Sequence, residues 1–179
     1  LPLPRITAVM LDVQLYPREA RAVTTGRYTI ENRSGAPIEQ LVLQWSDALT
    51  MDRLDLPGAT LAQTWGPADA PWPVRRYALQ PGEVRTLVFQ TTLEERGFPN
   101  GQPLTRIVEN GSFLDNSELT PMLGIDRRYF LKDRSKRRQN GLPPDLRPPK
   151  LEDDTARARH MLRGDSDWVQ AEIRVTTDA

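Results

Sequence analysis

The sequence predicts an all-β fold, a twisted β-sandwich or saddle-like arrangement of antiparallel sheets with one short helix. Three observations carry the prediction. Apolar and polar residues alternate with a period of two in runs at both ends of the chain, as half-buried strands require. Turn-forming residues punctuate those runs, with 16 prolines and 11 glycines in 179 residues. Helix signals concentrate in one stretch, residues 151 to 163.

The first strand is predicted from Ile6 to Tyr16, with Val9, Leu11, Val13 and Leu15 on one face and Asp12 and Gln14 on the other. Tyr28 and Ile30 alternate with Arg27, Thr29 and Glu31, and this second run stops at Asn32-Arg33-Ser34-Gly35, whose small polar residues suit a turn. Ile38 to Trp45 sets Leu41, Leu43 and Trp45 on one face with Val42 opposite. Gln80-Pro81-Gly82-Glu83 supplies a turn before a strand from Val84 to Leu93 that carries Leu87 and Phe89. Trp168 to Thr177 closes the series, with Val169, Ala171, Ile173 and Val175 inward and Gln170, Glu172 and Arg174 outward.

The short helix is predicted near residues 153–163, because Glu152, Asp153 and Asp154 precede an Ala/Arg/Met/Leu run that ends in Arg163-Gly164. Acids at the start and bases with glycine at the end complement the helix dipole and its C-terminal cap. Before it, Gly141 to Pro149 holds four prolines, which lack a donor and bias their predecessors toward extended geometry. An extended Pro-rich connector is therefore expected at about residues 139–150. No period of 20 to 50 residues recurs, and the 179 residues read as a single β domain.

Composition excludes several kinds of chemistry. The formal net charge is zero, from 24 basic and 24 acidic residues, so a general attraction to polyanions has no driving excess. Cysteine is absent and His160 is the one histidine, which leaves no thiolate site, disulfide framework or multi-histidine metal cage within this sequence. Hydrophobic residues make up 38%, a modest core, yet a chain of this length buries roughly two thirds of its unfolded surface without staples. No run approaches the ~18 apolar residues of a membrane span. The chain is expected to be a soluble fragment of something longer, because it opens on Leu1-Pro2-Leu3-Pro4.

An H-E-x-x-H zinc site needs two histidines one helical turn apart, so His160 is expected to be a partly solvated helix residue. None of the six serines sits in a G-x-S-x-G elbow, and no glycine-rich phosphate loop occurs. Asp115, Glu118 and Asp126 read as solvated or capping groups. The conspicuous charge feature runs from Asp126 to Arg138, where Arg127, Arg128, Lys132, Arg134, Lys136, Arg137 and Arg138 form a candidate basic patch around Tyr129 and Phe130. Aromatics between arginines are the recipe for single-stranded nucleic acid, but acids elsewhere cancel the charge, and no nucleic-acid partner is expected. Anionic lipid is the better match if the parent protein sits in a membrane. Among the tryptophans, Trp45 and Trp168 are expected in the core, while Trp72, within Pro71-Trp72-Pro73, is the candidate exposed aromatic on a loop.

The order of pieces resembles the amino-terminal domain of aminopeptidase N-type zinc metallopeptidases, in the divergent branch fused to bacterial ABC-transporter permeases. The likeness begins in Ile6 to Tyr16, Gly26-Arg27-Tyr28-Thr29-Ile30-Glu31-Asn32 and Ala36-Pro37-Ile38. It continues through Leu79-Gln80-Pro81-Gly82-Glu83, Gly97-Phe98, Asn110-Gly111-Ser112-Phe113-Leu114, Leu119-Thr120-Pro121-Met122-Leu123-Gly124 and Arg138-Gln139-Asn140-Gly141-Leu142-Pro143. It spans from about residue 6 to Thr177.

The resemblance implies a β domain that packs against a following thermolysin-like domain. In such enzymes the zinc ligands and the G-x-M-E-N exopeptidase signature belong to that second domain. Val108-Glu109-Asn110-Gly111 lacks the Gly and the Met of the signature, so no catalytic or metal-binding residue and no cofactor is assigned here, and zinc is expected in the following domain. The resemblance also implies a membrane-tethered parent with this domain on the extracytoplasmic face. Phe113, Leu114, Leu119, Met122 and Leu123 are the candidate interface, which either covers the sheet or meets the neighbouring domain. Two readings compete with the scaffold role. One is an autonomous peptide- or carbohydrate-binding module that uses Trp45, Trp65, Trp72 or Trp168 as platforms; the other is an enzyme acting through paired carboxylates in one cleft.

Overall fold

The computed structural model of the chain describes residues 3–65, 72–94, 106–126, 129–145, 152 and 168–178. Eleven strands and two short helices run through them. They are β1 (Arg5–Tyr16), β2 (Arg21–Glu31), β3 (Ile38–Gln44), β4 (Leu49–Asp55), β5 (Thr60–Trp65), β6 (Trp72–Leu79), β7 (Val84–Glu94), β8 (Ile107–Val108), β9 (Gly111–Ser112), α1 (Asn116–Leu119), β10 (Met122–Leu123), α2 (Arg134–Gln139) and β11 (Gln170–Thr177). The mainly-β class follows the sequence reading, and β1, β2, β3, β7 and β11 fall where alternation put them.

Two sheets share one core. The first has the order β11-β1-β2-β7-β4 and the second β10-β3-β6-β5, with β8 and β9 forming a separate small hairpin. All pairings are antiparallel except that of β11 with β1, which is parallel and makes the first sheet mixed. Ile6, Leu11 and Val13 of β1, Tyr28 and Ile30 of β2, and Leu87 and Phe89 of β7 meet Ile38, Leu41 and Leu43 of β3 and Tyr77 and Leu79 of β6 in one apolar cluster. Each fully buried aliphatic or aromatic side chain there contributes about 1.5–3 kcal/mol by leaving water.

Two features of β1 and β2 show how the pattern becomes packing. Ile6 and Leu11 are five positions apart, which would put them on opposite faces of a regular strand. A register shift against β2 between Ile6 and Ala8 restores both to the core side. Gly26 lies directly opposite Phe89, and a Cβ on Gly26 would overlap the Phe89 ring. The missing side chain lets that ring lie over the β2 backbone and meet Tyr28 at a centroid distance of 4.9 Å and an interplanar angle of 59°.

Val42 lies on the face of β3 opposite Leu41 and Leu43, as its place in the alternation predicts, and packs there with Val74 and Ile125. The structure corrects the sequence reading at the last predicted strand. Every residue of β11 is exposed, including Ile173 at 59% and Val175 at 58%; β11 is the outermost strand of its sheet, and none of its side chains joins a core cluster. Trp168 precedes β11 and is 93% exposed instead of buried. The helix predicted at 153–163, His160 within it, and residues 146–150 of the Pro-rich connector lie outside the described residues; the connector's first residue, Gln139, instead ends α2, and the Gly141 and Leu142 N–H groups turn back onto the Arg138 and Arg137 carbonyls.

Candidate interaction surfaces

The segment that carries the predicted interface, residues 106–126, is built onto one end of the sandwich. It starts with the β8–β9 hairpin, where Phe113 donates its backbone N–H to the Arg106 carbonyl at 2.9 Å. Asp115 then caps α1, accepting from the Ser117 N–H at 2.7 Å, while its own N–H donates to Glu118 Oε2 at 2.8 Å. This reciprocal capping box fits both acids' expected role. Arg106 closes the unit by pairing with Glu118.

Three hydrogen bonds fasten the segment to the sheets. Thr91 Oγ1 donates to the Leu119 carbonyl at 2.5 Å, Tyr28 Oη to the Pro121 carbonyl at 3.2 Å, and the Gly124 N–H to the Val42 carbonyl at 2.8 Å. β10 adds itself to the second sheet, with Leu123 opposite Leu43 and Met122 opposite Gln44. The Asp126 N–H donates to Gln44 Oε1 at 2.7 Å.

The candidate interface therefore divides. Leu123 is part of the main core. Leu114 and Leu119 pack on a smaller cluster of Ala22, Leu49, Leu93 and Ile107, and Met122 is half-buried. Phe113 alone of the five is open, at 85% exposure.

The candidate basic patch divides as well. Arg127 and Arg128 lie outside the described residues. Asp133 caps α2 by accepting from the Lys136 N–H at 2.7 Å, and Arg134 pairs with Asp145 at 3.0 Å. Lys132, Lys136 and Arg138 are exposed, as are Tyr129 and Phe130. Arg137 turns inward: its Nε donates to the Pro143 carbonyl at 2.6 Å and its Nη1 to the Leu131 carbonyl at 2.9 Å. It is a buried clamp between the segments on either side of α2, which a count of charges does not reveal.

Trp45 is half-buried against both apolar clusters. Trp72 opens β6 opposite Trp65 rather than sitting on a loop. On the outer face of the first sheet, a shallow depression of about 210 Å³ is lined in part by Met10, Asp12, Arg27, Glu172 and Arg174. Its charges pair loosely, Arg174 Nη1 lying 3.9 Å from Asp12 Oδ2 with both side chains well exposed. Such a pair contributes at most about 1 kcal/mol. Among the described residues no group of three or more histidines, cysteines or acids converges to hold a metal, and no helix is long and apolar enough to cross a membrane.

No family model matches the sequence, and no curated protein matches it. The structure is similar to solved M1 zinc metallopeptidases, in their N-terminal β domain region. One is the M1 zinc metallopeptidase of Deinococcus radiodurans with the substrate Tyr-Ser-Ala bound, at TM-score 0.42 and 14% identity over 66% of this chain and 28% of that one. Another structure of the Deinococcus radiodurans M1 enzyme gives TM-score 0.39 and 16% identity over 52% of this chain and 21% of that one. Leukotriene A4 hydrolase from Saccharomyces cerevisiae gives TM-score 0.36 and 14% identity over 50% of this chain and 15% of that one. The chain thus spans less than a third of the length of these proteins.

Proposed function

We propose that this chain is a non-catalytic N-terminal β domain of a zinc aminopeptidase-like protein of the permease-fused branch, which packs against and positions a thermolysin-like domain that follows it. The observation that carries the reading is that the sequence blocks behind the resemblance meet in space. Asn32, at the end of the block from Gly26, donates from its side chain to the carbonyl of Leu79, which opens the block Leu79 to Glu83, at 2.8 Å. Gly82 of that block returns its N–H to the Asn32 carbonyl at 2.8 Å. Tyr28 reaches Pro121, within the block from Leu119 to Gly124. Motifs far apart in the chain thus meet in the folded sandwich.

The same geometry supports a docking place for a following domain. The Asp178 N–H donates to the Leu15 carbonyl at 3.2 Å, so the chain leaves β11 beside the end of β1. A 3-10 turn, Pro17–Glu19, follows there, and its Arg18 lies 3.5 Å from Glu109 in the β8–β9 turn. Phe113 extends from that hairpin. A domain continuing past residue 179 covers, in this reading, the exposed Phe113. In this reading zinc and bond cleavage belong to that domain. A membrane-tethered parent would hold this domain on the extracytoplasmic face, with Lys132, Lys136 and Arg138 beside Tyr129 and Phe130 suited to anionic headgroups.

A photo-crosslinking residue in place of Phe113, introduced into the parent chain, tests the reading. The expected result is crosslinking into a following domain that carries H-E-x-x-H. A parent reading frame without such a domain overturns it. Exposure of Trp168 favours the competing binding-module reading, and saturable quenching of its fluorescence by a peptide or glycan would support that one instead.

A further inference from the structure

We propose that β11 is a self-association edge, on which a second copy of this chain adds its own β11 antiparallel across a two-fold axis at Ile173. The first observation is that, among the described residues, no strand covers this edge. β11 is eight residues long, and its register with β1 runs unbroken from Ala8 opposite Gln170 to Leu15 opposite Thr177. Among the described residues no strand pairs with its other side. Natural sheets blunt such an edge with lysine, proline, a bulge or an inward-pointing charge. β11 has no lysine, proline or bulge; its two charges, Glu172 and Arg174, share one face, and Ala171, Ile173 and Val175 share the other.

The second observation names the occupant. Read outward from Ile173, the strand Gln170-Ala171-Glu172-Ile173-Arg174-Val175-Thr176 is complementary to its own reverse. Antiparallel pairing about Ile173 sets Glu172 opposite the partner's Arg174 and Arg174 opposite the partner's Glu172. It sets Ala171 opposite the partner's Val175 and Ile173 opposite its own copy. Polar Gln170 meets the partner's Thr176. Opposite charges directly across an antiparallel pair are stabilising and like charges destabilising, and a two-fold axis makes each favourable pair occur twice. The two apolar rows fall on one face, so Ile173 and Val175, 59% and 58% exposed in the single chain, gain apolar neighbours.

Sedimentation equilibrium of the 179-residue chain over a concentration series tests the inference, with circular dichroism to verify that each variant folds. The expected result is a monomer–dimer equilibrium that Glu172→Arg alone or Arg174→Glu alone weakens by about tenfold or more. The double reversal, Glu172→Arg with Arg174→Glu, restores it by recreating both pairs in swapped form. Amide exchange in residues 170–177 should slow as concentration rises. A chain that stays monomeric throughout the series overturns the proposal. So does a dimer that the single charge reversals leave unchanged.

Discussion

The side-chain amide of Asn32 donates to the carbonyl of Leu79 at 2.8 Å, joining the end of β2 to the end of β6 across 47 positions of sequence. Asn32 is fully buried, and every polar atom it has is used. The same Nδ2 donates to Ala36 O at 2.9 Å. Oδ1 accepts from the Ser34 N–H at 2.9 Å and Oγ at 2.6 Å. The backbone N–H donates to Glu83 O at 3.1 Å, and the carbonyl accepts from Gly82. One side chain thus holds the β2–β3 turn and the β6–β7 turn in a single joint between the sheets.

Asn32→Ala should cost about 2–4 kcal/mol, because two carbonyls and an N–H lose a buried partner together. Asn32→Asp should cost a similar amount at neutral pH, since a carboxylate has no donor for the Leu79 and Ala36 carbonyls. Urea denaturation of the two variants measures both effects. A loss under about 0.5 kcal/mol for either would mean that the joint does not bear on stability.

Gly26 and Phe89 should be coupled. Adding a methyl at Gly26 forces the ring out of its place over β2, and overpacking of this sort costs about 1–3 kcal/mol. Phe89→Leu in the same chain should recover part of the Gly26→Ala loss, so that the double variant is more stable than the sum of the singles. A double-mutant cycle by chemical denaturation reads the coupling directly. Strict additivity would show that the two residues do not share the space.

Tyr77 should make the fold sensitive to alkali. Burial pushes its phenol above the ordinary range, with the neighbouring Arg85 guanidinium pulling the other way, and among the described residues its buried hydroxyl makes no hydrogen bond of good geometry. A phenol held higher in the folded state than in the unfolded chain favours the fold fully below an unfolded value of about 10. That contribution is lost as pH rises through the folded value. Tyr77→Phe should therefore flatten the fall in stability above about pH 10 and leave stability at pH 7 unchanged or slightly raised. Thermal melts of both proteins between neutral and alkaline pH give the comparison.

The long strands were legible because their alternation is uninterrupted where it matters. β2 keeps Ala22, Thr24, Gly26, Tyr28 and Ile30 inward without a break, and β7 does the same with Leu87, Phe89, Thr91 and Leu93. β4, β5 and β6 escaped the sequence reading for a physical reason. β4 carries a register shift between Met51 and Arg53, and β5 one between Leu61 and Gln63, so the period breaks inside short runs. β6 opens on Trp72-Pro73 and holds Arg75-Arg76, a composition that reads as a turn.

The surfaces were less legible than the strands. Alternation in β11 marked two faces but not whether anything lies over them, because a strand at a sheet edge has the same period as one in the middle. Leu123 and Phe113 look alike in sequence, yet one is core and the other open; the difference is set by β10 pairing with β3. Arg137 was counted with its basic neighbours, and its burial follows from two carbonyls that a loop brings to it.

The most direct test of the scaffold role is a zinc titration of the purified 179-residue chain, followed by an assay against aminoacyl reporter substrates. The proposed role predicts no stoichiometric zinc uptake and no turnover by this chain, with both appearing once the following domain is joined to it. Stoichiometric zinc bound by this chain alone, with hydrolysis that tracks the bound metal, would contradict it.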